Sequence, residues 1–391
     1  MAMSADVKSI VEFAQKLVQI PSQGGIDSPG NVVEEAYAFA ESLGLPAIKL
    51  VDDQGKPIAL VAEIKGAFPG KIWAVNATLD TAPAGDAALW KDNPFSGKVQ
   101  NDVLYGRGAG DSKLAASMFM HLTKEMMAEQ ANMHGNLLLI LDGDEHTGNF
   151  GGIKAAFMAG YQPDGIMIGY PGDDKFVVGS RGFARYEIAL TGKGAHSGAT
   201  LPAEDNALVR AADIVQSLTT RPLPQKTEPD FPRPPKVTVT QVEGGDGYSV
   251  VPATAKVRVD VRLTPVFNEA AADAHIRQIV AGHDSRHQVP ENRATKVGKV
   301  SSEPAFLTPE TSELRQALRA AVVEITGQTL PEVISGPSNI GNFLATQGID
   351  VIAGYGVPAH GVHAVGENAS LKPLGKVYDV YRKTLQNLLK T

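Results

Sequence analysis

The chain has 391 residues, 43% of them hydrophobic and 20% charged, with a formal net charge of −7. That balance excludes a disordered or fibrous protein and argues against a broad nucleic-acid surface, and there is no run of basic residues. The lack of cysteine excludes disulfides, thiolate metal sites and cysteine nucleophiles, so any metal is held by His, Asp, Glu or neutral oxygens, which suits zinc, manganese, cobalt or iron.

At roughly 100–200 residues per domain, the length points to two domains. The opening MAMSADVKSIVEF has no basic region followed by an apolar core. The most apolar run, Leu137 to Leu141, is far too short to span a bilayer. The expectation is a cytoplasmic enzyme whose partner is a small molecule, with neither nucleic acid nor membrane involved.

Val7 to Val18 and Asn31 to Leu43 carry helical periodicity. Residues 71–79 read as a buried strand ending at Asp80. Ser112 to Gln130 is a long helical pattern. Asn136 to Leu141 is a second buried strand, running into Asp142-Gly143-Asp144-Glu145-His146, and Gly165 to Gly169 is a third, ending at Tyr170-Pro171. Strands alternating with helices predict an α/β sheet flanked by helices. Asp80, Glu145 and Tyr170 follow strand ends, where open α/β sheets place their ligand sites.

From about Arg185 the texture changes. RYEIALTGK alternates like a half-exposed strand, Asn206 to Leu218 is helical, KVTVTQVEGG and AKVRVDVRLTP are alternating strands, and Asn268 to Val280 is helical. The order β-α-β-β-α predicts a small open-faced sandwich, with the Pro-rich stretch 222–235 as a loop inside it. Residues 184–295 read as an inserted lid. Thr311 to Thr326 and Lys376 to Leu389 are helical and return to the first domain, 1–183 plus 296–391.

Four segments could do chemistry: NATLDTAPAGD with Asp80, YGRGAGDSK with Asp111, DGDEHTG with Glu145 and His146, and PAHGVHAVGEN with His360, His363 and Glu367. Each alone has an ordinary structural reading. Asp80 and Asp111 could cap helices or turns, and Glu145 and His146 could be solvated turn residues. Their recurrence after successive strands, in glycine-rich contexts that let backbone approach a ligand, raises a site as an alternative.

Together, GRGxxDxK, the Asp-Glu pair after a strand, GKxAHSG and the late His-x-x-x-Glu resemble the co-catalytic metallopeptidase family of aminoacylase, carboxypeptidase G, succinyl-diaminopimelate desuccinylase and peptidase T. The lid shares Asn206-Ala207, a VP and a DVR segment, and the likeness covers nearly the whole chain. It implies an α/β fold: a mixed sheet flanked by helices, as in a phosphorylase/hydrolase-like catalytic domain, with an inserted ferredoxin-like α+β lid that dimerises. It implies two metals bridged by Asp111, an orienting Asp80, Glu145 as general base, His363 as a metal ligand, and His196 reaching a neighbouring site to stabilise an oxyanion.

Three ligand positions depart from that pattern. A His of the second metal is Thr78, an acid is Tyr170, and the second Glu of a pair is His146. Neutral Thr and a Tyr of ordinary pKa about 10 are poor substitutes, whereas imidazole is a competent ligand. The expectation is therefore one divalent transition metal, manganese or zinc, on Asp111, His146 and His363. Ser249 stands where Asn is usual. Ser338, Asn339 and Asn342 replace a Ser/Thr-Asp segment, so Thr78, Tyr170, Ser338 and Asn339 are candidates to face an altered substrate. Arg181 and Arg262 are candidates to pair with its carboxylate, or equally to form structural salt bridges.

The expected activity is hydrolysis of a C–N bond in a small carboxylate-bearing substrate. An aryl amine such as 5-nitroanthranilate, the substrate of an outlying branch of the family, suits a one-metal site. The alternatives are a dipeptidase or N-acyl-amino-acid amidohydrolase, and a carboxylate-binding relative without turnover. The lid motif implies a homodimer or higher homo-oligomer.

Overall fold

The computed structural model describes residues 5–225, 228 and 230–390. Lys226, Thr227 and Pro229 of the Pro-rich stretch lie outside the described residues. In chain order come helices α1 (Ala5–Gln19) and α2 (Gly30–Ser42), then strands β1 (Ala47–Val51), β2 (Pro57–Lys65), β3 (Phe68–Thr78), β4 (Lys98–Gln100) and β5 (Val103–Tyr105). Next are α3 (Leu114–Ala128), β6 (His134–Asp142), α4 (Gly151–Met158), β7 (Gly165–Ile168) and β8 (Phe176–Ser180). The middle holds β9 (Gly182–Thr191), β10 (Ala195–His196), α5 (Ala207–Thr220), β11 (Lys236–Gly244), β12 (Val250–Val251), β13 (Thr254–Leu263), α6 (Glu269–Arg286) and β14 (Lys296–Glu303). Last are β15 (Phe306–Leu307), α7 (Glu313–Thr326), β16 (Glu332–Ser335), α8 (Ile340–Thr346), β17 (Asp350–Ala353), β18 (Ala359–His360), β19 (Asn368–Ser370) and α9 (Leu374–Leu389).

Two compact units result: Met1–Gly179 with Leu307–Val333 and Asn339–Thr391, and Ser180–Phe306 with Ile334–Ser338. Among the described residues, the main sheet of the first has nine strands, in order β1-β2-β6-β3-β7-β17-β8-β15, with β16 on β8. Its centre, β6-β3-β7-β17, is parallel, and β2 and β1 extend it antiparallel. Helices α3 and α9 pack on β3 and β6, and α2 and α4 on β2. A strand covered on both faces is apolar throughout, and Leu137–Leu141 are at most 1% exposed. That is why this run lacks alternation in the sequence. The parallel arrangement brings the ends of β3, β6 and β7 to one edge of the sheet.

The second unit is β-α-β-β-α-β with sheet order β11-β13-β9-β14, antiparallel throughout. Here the strands alternate because one face alone is covered. Ala255, Val257, Val259, Val261 and Leu263 of β13 pack with Ile214 and Leu218 of α5 and Ile276 and Ile279 of α6. Burying each such isoleucine stabilises the unit by about 1.5–3 kcal/mol relative to leaving it exposed. Asn206 starts α5 by accepting from the backbone N–H of Leu208 and Val209, and Asn268 starts α6 by accepting from Ala271. The boundaries 184–295 need correction. β14 pairs with β9, Val297 opposite Ile188, so the free edge of β9 draws 296–303 into this sheet.

Candidate metal centre

Three loops of the first unit build a cluster at the strand ends. Asp111 sits in the turn Ala109–Lys113 ahead of α3, and its peptide bond to Ser112 is cis. Gly108 enters that turn at φ +84, where a Cβ would lie 2.5 Å from Thr81 Cγ2, so both conformation and space require glycine. Glu367 holds the turn from below. Its Oε1 accepts from the backbone N–H of Gly108, Gly110 and Asp111 at 3.1, 3.1 and 3.2 Å. Its Oε2 pairs with Arg107 Nη1 at 2.5 Å, both side chains being buried.

The second loop follows β6. Asp80, just past β3, accepts from the N–H of Glu145 at 3.1 Å and of His146 at 2.8 Å, and from the Thr78 hydroxyl. One buried carboxylate thus fixes the backbone that presents Glu145 and His146. The third loop presents His363 at φ +61, a strained conformation for a non-glycine residue.

His363 Nε2 lies 3.0 Å from Asp111 Oδ2, and His146 Nε2 lies 3.6 Å from the same oxygen. The donor atoms of Asp111, His146 and His363 all fall within 4.8 Å of one another. Both nitrogens of His146 and Oδ1 of Asp111 are buried without a hydrogen-bond partner. Each such orphan costs about 1–3 kcal/mol. A cation in their midst would satisfy the inward-facing donors, so the donor set fits a divalent transition metal. His146 Nδ1 lies 3.4 Å from Asp80 Oδ1, the carboxylate-behind-imidazole arrangement that orients a ligating histidine.

The electrostatics follow from packing charge into this space. Burial opposes the charge on Asp111, yet His146 and His363 outweigh it and hold the carboxyl well below its usual range. Burial likewise opposes a charged His146, but Asp111 and Asp80 raise it well above the ordinary imidazole value. Glu145 is pushed up to about 7 by burial, with Asp111 and Asp80 adding to the shift. Tyr170 donates its hydroxyl to Glu145 Oε1 at 3.0 Å, which works the other way.

The other predicted residues are otherwise engaged. Thr78 and Tyr170 border the cluster, with their hydroxyls committed to Asp80 and Glu145. Asn339 caps α8, reciprocally with Asn342. His360 is exposed, its backbone paired with Asn368. His196, Arg181, Arg262 and Ser338 belong to the second unit. There His196 is exposed, and β10 pairs with β12 so that His196 faces Val250. Arg181 donates to the carbonyls of Gly336 and Pro234 at 3.0 and 2.8 Å. Arg262 pairs with Asp260 at 2.8 Å and donates to Ser338 Oγ at 3.2 Å.

A model of peptidase family M20/M25/M40 matches residues 74–387. The chain belongs to that family. It is accordingly a metal-dependent hydrolase acting on C–N bonds. Succinyl-diaminopimelate desuccinylase of Rhodospirillum centenum is 27% identical over 396 residues, covering 96% of each chain. An M20 metallo-carboxypeptidase from Sulfolobus solfataricus shares the fold at a TM-score of 0.75 and 19% identity, over 99% of both chains. A dinuclear metal-binding M20 peptidase from Bacillus subtilis does so at 0.71 and 17%, again over 99% of both.

Within this M20 chain, sequence reasoning missed the supporting groups. Arg107 lies within YGRGAGDSK and Glu367 within PAHGVHAVGEN, but nothing local marks them as partners. Asp142 is fully buried, accepts from the N–H of Asp144 at 2.7 Å and of Ile153 at 2.8 Å, and is pushed up to about 8 by burial and then by Asp80. Lys113 is also buried, donates to the carbonyls of Leu17 and Ile20 at 2.8 Å, and is pushed down to about 7 by burial. A run of three acids, and a lysine at the mouth of an apolar helix, were the available signals.

Proposed function

We propose that the chain hydrolyses a C–N bond of a small, carboxylate-bearing, non-peptide substrate, using one divalent transition metal, zinc or manganese, held by Asp111, His146 and His363. The observation that carries this reading is how the polar groups divide. Three donors converge with unpartnered atoms, while the hydroxyls of Thr78 and Tyr170, where a second ion would need ligands, are committed to neighbouring carboxylates.

When bound, such a cation supplies Lewis-acid chemistry, polarising an oxygen and acidifying water. Glu145 takes a proton from water and returns it to the leaving nitrogen. Burial raises its carboxyl to about 7 before a cation binds, a shift in the direction that strengthens a general base. Asp80 keeps Glu145 and His146 in position through their backbone N–H groups. His196, reaching in from the lid of a second copy, stabilises the negative charge that develops on the substrate as water adds to its carbon, which makes the working form at least a homodimer. Arg181 and Arg262, with Arg233 and Lys236, line a cavity of ≈ 380 Å³; against them stands one acid, Asp260, paired with Arg262, so the lining keeps a net positive charge that suits a carboxylate.

A one-metal site polarises an amide less than a two-metal site, so a substrate with its own electron sink suits it better. Hydrolytic deamination of an aryl amine such as 5-nitroanthranilate meets that condition, because the nitro group stabilises the adduct. The second reading is an N-acyl-amino-acid amidohydrolase or dipeptidase. It draws on the 27% identity to a desuccinylase.

The test counts the ions removed by His146→Ala and His363→Ala, then screens nitro-substituted aryl amines, N-succinyl amino acids and dipeptides. Loss of one ion per chain in each variant, with turnover of the aryl amine, supports the first reading. Loss of two, with turnover of the acyl compounds, installs the second. Substrate binding without turnover by the metal-loaded wild type defeats both.

A further inference from the structure

A second Asp-His-His cluster lies wholly within the other unit. Asp213 is on α5, and His283 and His287 are four residues apart at the C-terminal end of α6. Their donor atoms also fall within 4.8 Å of one another. His287 Nε2 is 3.0 Å and His283 Nε2 is 3.7 Å from the same oxygen, Asp213 Oδ2. Tetrahedral coordination with bonds of about 2.0–2.1 Å sets donors roughly 3.3 Å apart, so small side-chain shifts suffice.

His283 is the decisive residue. Its side chain has no exposed surface, and its Nε2 is buried without a hydrogen-bond partner. Its Nδ1 lies 3.0 Å from Asp284 Oδ1. Asp284 is itself held by Arg210 at 3.1 Å and by the N–H and hydroxyl of Thr295 at 2.7 and 2.8 Å. That carboxylate acts as an acceptor, so the ring proton sits on Nδ1 and the Nε2 lone pair points at Asp213. A carboxylate behind an imidazole whose far nitrogen is free is how proteins prepare a histidine ligand. Burial pushes this imidazole towards its neutral, coordinating form. Arg286 Nη2 lies 3.3 Å from Asp213 Oδ2, but its side chain is 61% exposed and can turn out to water.

We propose that Asp213, His283 and His287 form a separate site for a zinc-class divalent ion, which clamps α5 to α6 through two imidazoles and one carboxylate and leaves a position for water. The carboxylate beside the donors, Asp284, is tied up by Arg210, Thr295 and His283, so the site is a staple of the lid, independent of the hydrolytic centre.

The test uses the full chain, stripped with a chelator, dialysed against zinc and assayed for ions per chain. His287→Ala and Asp213→Asn are each expected to hold one ion fewer than wild type, with hydrolytic activity unchanged. His363→Ala should lose a different ion, and the double variant with His287→Ala should lose both. Zinc should raise the Tm of His363→Ala and leave that of the double variant unmoved. An ion count in His287→Ala and Asp213→Asn equal to wild type overturns the proposal, as does an equal zinc-induced rise in Tm for the single and double variants.

Discussion

The chain carries two trios of one aspartate and two histidines, built by opposite means. Asp111, His146 and His363 come from three loops scattered over some two-thirds of the sequence, and buried carboxylates hold those loops: Glu367 beneath Asp111, and Asp80 beneath Glu145 and His146. Asp213 and His283 come from two helices and His287 from the residue that ends the second, four places after His283, which sets both imidazoles on one side. The loop-built trio has Glu145 beside it, with its pKa raised to about 7. The helix-built trio contains Asp213 and has Asp284 behind His283, and burial opposes the charge on both, yet hydrogen bonds to His287 for Asp213, and to Thr295 and His283 for Asp284, help hold them below the usual carboxylate range. A carboxylate able to exchange protons near neutral pH separates a reactive centre from a clamp.

Glu145→Gln breaks the comparison most sharply. It keeps the shape and removes the base, so kcat/KM should fall about 10²–10⁴-fold with metal content unchanged. Activity near wild type would remove Glu145 from the chemistry. Glu367→Ala comes next. It leaves the Arg107 guanidinium buried without its partner and three backbone N–H groups without an acceptor. Breaking such a pair costs about 3–5 kcal/mol, to be read by chemical denaturation. The ion at Asp111 should bind more weakly, whereas the ion at Asp213 should be retained. Equal loss at both trios would mean that they are not independent.

What was legible in the sequence follows the same division. The buried strand at Leu137–Leu141 and the alternating strand β13 show opposite patterns because one is covered on both faces and the other on one. The sandwich order followed from that alternation and from the two helical stretches between the strands. Short elements such as α4 left too little periodicity to read. At the centre, Asp111, His146 and His363 were found because motifs mark them, each embedded in glycine-rich loops. Glu367 lies within such a motif, yet its role is invisible there, since its partners are about 260 residues away. The helix-built trio did leave a local trace, His-x-x-x-His, but it lies beyond the helix predicted for Asn268 to Val280, which in the structure runs on to Arg286. It passed unread because its aspartate lies on another element, 70 residues earlier.

Tyr170→Phe is the mildest change and sharpens the comparison most finely, because Tyr170 stands where a second ion would need an acid. Its hydroxyl donates to Glu145 Oε1 and stabilises the ionised carboxylate, so removing it costs about 0.5–1.5 kcal/mol and raises the Glu145 pKa. Glu145 works as a base only when ionised. The acid limb of the kcat/KM profile should therefore move to higher pH in the variant, with activity restored as pH rises through the new value. A bound cation lowers the position of that limb in both proteins without changing the sign of the difference. Metal content should stay at the wild-type number. If instead one ion leaves with the hydroxyl, Tyr170 is a ligand, the centre holds two metals, and the reason for preferring a non-peptide substrate disappears with the single-metal reading.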